Sequence, residues 1–92
     1  MKQRWKIFFS GHVQGVGFRF QTRTVSQRFD VTGWVANLSN GDVQVIVEGD
    51  PAELQRFVDE IQTAMGGYIR RTEIEKGAAT GEFSGFEIRH LG

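Results

Sequence analysis

Asp50-Pro51-Ala52-Glu53-Leu54-Gln55-Arg56-Phe57-Val58-Asp59-Glu60-Ile61-Gln62-Thr63-Ala64-Met65-Gly66-Gly67 is the stretch with the least ambiguous local structure in the chain. Leu54, Phe57, Val58, Ile61 and Met65 recur in steps of three and four, the period of a helix with one buried face. Pro51 suits the first helical position, where a missing N–H costs nothing. Asp50 before it and Glu53 three residues later predict a reciprocal capping box. Gly66-Gly67 predicts the stop. A helix with a single apolar stripe must lie on another layer, so the flanking segments decide the fold.

Before the helix, Val43-Gln44-Val45-Ile46-Val47 reads as a strand, and residues 32–39 read as another. Asn40-Gly41 between them favours the left-handed angles of a type I′ hairpin turn. After the helix, residues 69–76 read as a strand with more charge than an interior strand should carry, which predicts a sheet edge. Residues 77–82 read as a loop, and Phe86 and Ile88 mark a last strand. Toward the N-terminus, Trp5, Ile7 and Phe9 alternate with Lys6, Phe8 and Ser10 in a strand over 4–10. Phe18, Thr22, Val25 and Phe29 predict a helix over 18–29. The order is β-α-β-β-α-β, with room for one extra strand. Two helices cannot cover both faces of such a sheet. Both are therefore expected on one face of a mostly antiparallel sheet, the ferredoxin-like α+β sandwich. That architecture hosts many functions, so function must be argued from a site.

Composition narrows the classes. A chain of 92 residues is expected to be a single domain over 1–92. With 39% hydrophobic and 24% charged residues it reads as soluble and globular. Eleven basic and eleven acidic side chains cancel, which argues against a polybasic nucleic-acid or membrane binder. The balance hides an asymmetry: residues 1–30 carry a net +5 and the remainder −5, so a local positive field could exist near the N-terminal third. The absence of cysteine excludes disulfides, thiolate zinc sites and a thiol nucleophile. Two histidines are too few for a conventional metal cage, so no metal and no cofactor are expected. No leader and no apolar run of about 18 residues is visible, which predicts a cytoplasmic protein without a membrane partner. A monomer is expected.

Gly11-His12-Val13-Gln14-Gly15-Val16-Gly17-Phe18-Arg19 is the candidate site. It lies between the carboxyl end of a strand and the amino end of a helix, where free N–H groups and the helix dipole attract anions. Gly15 and Gly17 can take positive φ, which turns successive amides into one concavity. Arg19 adds a planar fork of donors suited to phosphate. No Gly-Lys-Ser/Thr follows, so this is not a Walker loop, and Phe20 stands where a dinucleotide fingerprint needs its third glycine. A helix over 18–29 carries the chain about 18 Å away. A strand from Thr32 to Asn37 returns it about 17 Å. Asn37 should then end level with Arg19, where its amide could hold a water beside a bound anion.

These residues resemble a known family. Gly11 to Arg19 is similar to the acylphosphatase signature GxVQGVxFR, and Gly33-Trp34-Val35-Ala36-Asn37 to its second motif, GWVxN. Two motifs at the family's separation are far more specific than a lone glycine pattern, and the resemblance extends over the whole chain. It implies a metal-free hydrolase of acyl phosphates, small-molecule substrates that are mixed carboxylic–phosphoric anhydrides. By similarity Arg19 is the substrate-phosphate arginine and Asn37 positions the attacking water. Amides of Gly15, Val16, Gly17, Phe18 and Arg19 would complete the cradle, and Gln14 would support the loop. The chain departs from the family pattern at Phe29-Asp30-Val31, where Leu-Gly-Leu is frequent, at Asn40-Gly41 for Asp-Gly, and at Gly66-Gly67 for Gly-Pro. None of these touches the proposed chemistry.

The chemistry explains why so few groups suffice. An acyl phosphate releases a carboxylate, whose conjugate acid has a pKa of about 4–4.5. It leaves as an anion without a general acid. The protein must mainly position a water and stabilise charge on the phosphoryl oxygens. Other residues have plainer readings: Trp34 and Phe18 as core beneath the site, His12 as a polar strand end, His90 and Arg23 as solvated. The alternative readings are a small-anion or RNA-binding module without catalysis and an accessory domain of a larger carbamoyl-transfer protein. Strand Val43–Val47 lacks the aromatics an RNA-binding sheet uses, although Trp5, Phe8 and Phe9 could lie on the first strand. That lack of aromatics and the balanced charge lead to an expectation of no nucleic-acid partner, and the end at Gly92 without zinc-finger cysteines favours a stand-alone enzyme.

Overall fold

Apolar residues at every second position of the first strand set the layering. The computed structural model describes residues 1–91. In β1 (Gln3–Gly11) the side chains of Trp5, Ile7 and Phe9 are buried and those between them are not. The chain continues through α1 (Phe18–Ser26), β2 (Thr32–Asn37), β3 (Val43–Gly49), α2 (Pro51–Met65), β4 (Ile69–Ala78) and β5 (Phe86–Arg89). The strands lie in the order β4-β1-β3-β2-β5. All neighbours are antiparallel except β5, which runs parallel to β2 and is the extra strand. β4 is an edge, as its charge predicts.

Strand alternation puts both helices on one face. Val35 of β2 and Val43, Val45 and Val47 of β3 share the face of Trp5, Ile7 and Phe9. Phe18 and Val25 of α1 and Leu54, Phe57, Val58 and Ile61 of α2 close over them, each at most 2% exposed. Burying each such side chain contributes about 1.5–3 kcal/mol, which makes this layer the main source of stability.

Several local expectations need correction. α1 stops at Ser26 rather than 29, because the chain tightens into i→i+3 bonds at Gln27, Arg28 and Phe29. The capping box does not form. The Asp50 side chain makes no cap bond, and Glu53 reaches instead to the backbone N–H of Asp30 at 3.0 Å and to Arg56 at 2.8 Å. Glu53 therefore ties α2 to the turn that ends α1. The hairpin is not type I′ either. Asn40 keeps negative φ, Gly41 alone is at +96°, and the Leu38 N–H donates to the Asp42 carbonyl. This is a three-residue loop with glycine at the left-handed position, stiffened by Asn40 Oδ1 accepting from the Asp42 N–H at 3.0 Å. β2 ends at Asn37 rather than 39, and β4 extends to Ala78, so the last loop is 79–85.

That last loop covers the face without helices. β4 and β5 are opposite edges, so residues 79–85 must cross the sheet. Glu48 of β3 points to this face, yet it is only 4% exposed, because Thr80 and Gly81 lie on it. Its carboxylate accepts from the Thr80 N–H, the Thr80 hydroxyl and the Gly81 N–H, each at 2.9 Å, with Arg4 at 3.9 Å. Burial pushes the Glu48 carboxyl up, but the two backbone donors, the hydroxyl and Arg4 together outweigh it, and its pKa is lowered from 4.5. A lowered folded-state pKa stabilises fully above the unfolded value, and that stabilisation is lost as pH falls through the folded one. Glu48→Gln is therefore expected to cost about 2–3 kcal/mol at pH 7. The gap to the wild type should shrink below about pH 4.5. Urea unfolding at pH 7 and pH 4 checks both statements.

Candidate active site

β1, β2 and β5 all point the same way, and their carboxyl ends meet the amino end of α1. The segment from His12 to Gly17 bridges β1 to α1 at that end. Fully buried Val13 anchors it in the core. Gln14 Nε2 donates to the Leu38 carbonyl at 2.8 Å and to the Asp42 carbonyl at 2.9 Å. Leu38 follows Asn37 directly, so this side chain fastens the loop to the strand end that carries Asn37. At the other end of the loop Phe18 is 2% exposed, its ring centroid 5.2 Å from that of Phe9, which fixes the first turn of α1 on β1.

Glycine gives the loop its shape. Gly15 has φ +77° and Gly17, the N-cap of α1, has φ +76°. An added Cβ would meet nothing within 4 Å at either, so backbone conformation and not space calls for glycine here. An N-cap glycine has no side chain to take up the first N–H groups of the helix. Among the described residues, the N–H groups of Gly15, Val16, Gly17, Phe18 and Arg19 donate to no protein acceptor. The Val16 side chain packs on the core, which leaves its amide as its only group for the loop.

Arg19 and Asn37 line one cleft of 270 Å³ together with Gly15, Gly17, Phe20 and His90. Both side chains are half-buried. No carboxylate lines the cleft, and among the described residues Arg19 has none within 4 Å. Two of the six basic side chains of residues 1–30 are paired elsewhere: Arg4 bonds Glu82 at 2.6 Å and Arg28 approaches Glu60 at 3.5 Å. Arg19 keeps its charge for the cleft. Free amides, an uncompensated guanidinium and a neutral carboxamide make a site for a tetrahedral oxyanion with a polar group beside it.

His90 is the residue that sequence reasoning missed. Its Nδ1 lies 3.2 Å from Arg19 Nη1. With Arg19 as donor, Nδ1 is the lone-pair nitrogen of the imidazole. The parallel pairing of β5 with β2 matches Ala36 with Arg89, so the next residues along the two strands are Asn37 and His90. Only knowledge of that pairing would have placed it. Trp34 is the opposite correction. Val35 faces the core, so Trp34 points to the other side of the sheet, half-buried under the Arg89 guanidinium at 5.3 Å. It does not pack beneath the site. His12 faces Tyr68, with ring centroids 6.3 Å apart, and neither His12 nor Arg23 lines the cleft.

Both the sequence and the fold have known relatives. The acylphosphatase family model matches residues 5–88. The acylphosphatase of Geotalea uraniireducens is 38% identical over 91 residues, covering 98% of this chain and all of that one. The acylphosphatase of Vibrio cholerae is 40% identical over 93 residues, covering 95% of this chain and 97% of its own. The crystal structure of acylphosphatase from Bacillus subtilis superposes with a TM-score of 0.85 at 25% identity, covering 95% of this chain and 98% of that one. Matching both in sequence along nearly its whole length and in fold, this chain belongs to the acylphosphatase family.

Proposed function

We propose that this chain is an acylphosphatase that hydrolyses the carboxyl–phosphate bond of small acyl phosphates, with Arg19 and the Gly15–Arg19 amides holding the phosphoryl group and Asn37 holding the water. The observation that carries the reading is that Arg19 and Asn37 open onto one cleft beside amides free of protein acceptors. The loop amides and the guanidinium take the equatorial phosphoryl oxygens, where negative charge spreads in the transition state. The Asn37 carboxamide accepts from and donates to a water at about 3–3.5 Å from phosphorus, in line with the leaving oxygen. The water oxygen bonds to phosphorus, the phosphorus–acyl oxygen bond breaks, and its electron pair leaves on the carboxylate. The water proton passes to a phosphate oxygen or to solvent. Gln14 acts through position, by keeping loop and strand end together.

The reading includes one domain that works as a monomer in the cytoplasm without metal, cofactor or nucleic acid. No helix among the described residues is long and apolar enough to cross a membrane. An RNA-binding sheet surface is not favoured, because the face without helices is crossed by residues 79–85 and bears Glu73, Glu75 and Glu87. The test is release of inorganic phosphate from acetyl phosphate and benzoyl phosphate, with and without excess EDTA. Turnover unaffected by EDTA is expected. No release from either substrate would end the proposal, and loss of activity in EDTA would replace it with a metal mechanism.

A further inference from the structure

The cleft has a second chemical character beside its anion cradle. Phe20, directly after Arg19, is 68% exposed and lines the cleft mouth. The other exposed large hydrophobic side chains among the described residues are Met1 and Leu91, near the chain ends, and Tyr68, outside the cleft and less exposed at 42%. Packing does not explain Phe20. α1 buries Phe18, Thr22, Val25 and Ser26, and Phe20 lies off that stripe. Among the described residues its ring also meets no other aromatic ring.

We propose that Phe20 is a specificity-determining residue: it receives the acyl group, and the preferred substrates are acyl phosphates with a flat aromatic acyl group. This rests on the reading of the cleft as an acyl-phosphate site. A phosphoryl group seated on the loop and Arg19 leaves the acyl end one direction to go. Val13 and Phe18 seal the floor at 0% and 2% exposure, so the acyl group must leave through the mouth. The mouth offers the Phe20 ring, half-buried Ile88 and the His90 ring. Arg19 is the one permanent charge in the lining, and the phosphoryl group already uses it. An acyl group ending in a second charge finds no partner there. An acetyl methyl is too short to cover a ring. A benzoyl ring gains face or edge contact with Phe20 and removes its apolar surface from water.

The experiment compares kcat/KM for benzoyl phosphate and acetyl phosphate in the wild type, Phe20→Ala and Phe20→Tyr. The site is on the solvent side of α1, and circular dichroism with thermal melts confirms that each variant is folded. The expected result is a benzoyl-to-acetyl ratio that falls about tenfold in Phe20→Ala and stays near wild type in Phe20→Tyr. An unchanged ratio in Phe20→Ala, or a ratio lost equally in Phe20→Tyr, would overturn the acyl-group role while leaving acylphosphatase activity intact. A wild type that hydrolyses neither substrate would instead remove the reading on which the role depends.

Discussion

Arg19→Ala is expected to lower kcat/KM about a thousandfold, with KM rising and kcat falling together. The guanidinium is the one fixed positive charge in the cleft, and no carboxylate offsets it. In the proposed mechanism it attracts the substrate phosphate in the ground state, which sets KM. There it also faces the equatorial oxygens as charge builds on them, which sets kcat. The loop amides remain in the variant and keep part of the phosphate affinity. Arg19→Lys should recover only part of the loss, since an ammonium replaces the charge but not the planar fork. Competitive inhibition by inorganic phosphate separates the two effects. Phosphate affinity and turnover that both survive Arg19→Ala would remove the arginine from the mechanism.

Asn37→Ala should divide the parameters differently. In the proposed mechanism the carboxamide binds the water and not the phosphoryl group, so KM should stay within about twofold while kcat falls about a hundredfold or more. An unpositioned water still reaches the cleft, which is why the loss is finite. Asn37→Asp is a sharper variant, because it keeps the shape but sets a negative charge beside an anionic substrate, and its KM should rise. Steady-state kinetics on acetyl phosphate distinguish these outcomes. An unchanged kcat in Asn37→Ala would show that the water is held by another group.

The fold was largely legible because its main elements are written in periodicity. Leu54 to Met65 names its buried face, and Trp5, Ile7 and Phe9 name theirs. What was not legible depended on partners distant in sequence. Glu53 could cap its own helix, but the Asp30 N–H across the helix pair competed successfully for the carboxylate. Asn40-Gly41 signals a tight turn, yet the register left three loop residues and only Gly41 at positive φ. Glu48 reads as a polar strand residue, and only the path of residues 79–85 reveals that it is buried under three donors.

The candidate site shows the same division. The glycines, Arg19 and Asn37 could be found because a loop at a helix start and a chain-length argument bring them to one end of the sheet. His90 could not, since its place beside Asn37 follows from a parallel pairing between β2 and β5 that no local pattern announces. Trp34 shared a motif with Asn37 but lies on the other face, because neighbours in a strand point to opposite sides.

Hydrolysis of benzoyl phosphate in water enriched in oxygen-18, with mass analysis of both products, asks which atom the water attacks. Water held by Asn37 against a phosphoryl group on the Gly15–Arg19 loop must deliver its oxygen to phosphorus. The label is expected in inorganic phosphate, with none in benzoate. Label in the benzoate carboxyl group would mean attack at the acyl carbon and would contradict the placement of the phosphoryl group between these two residues.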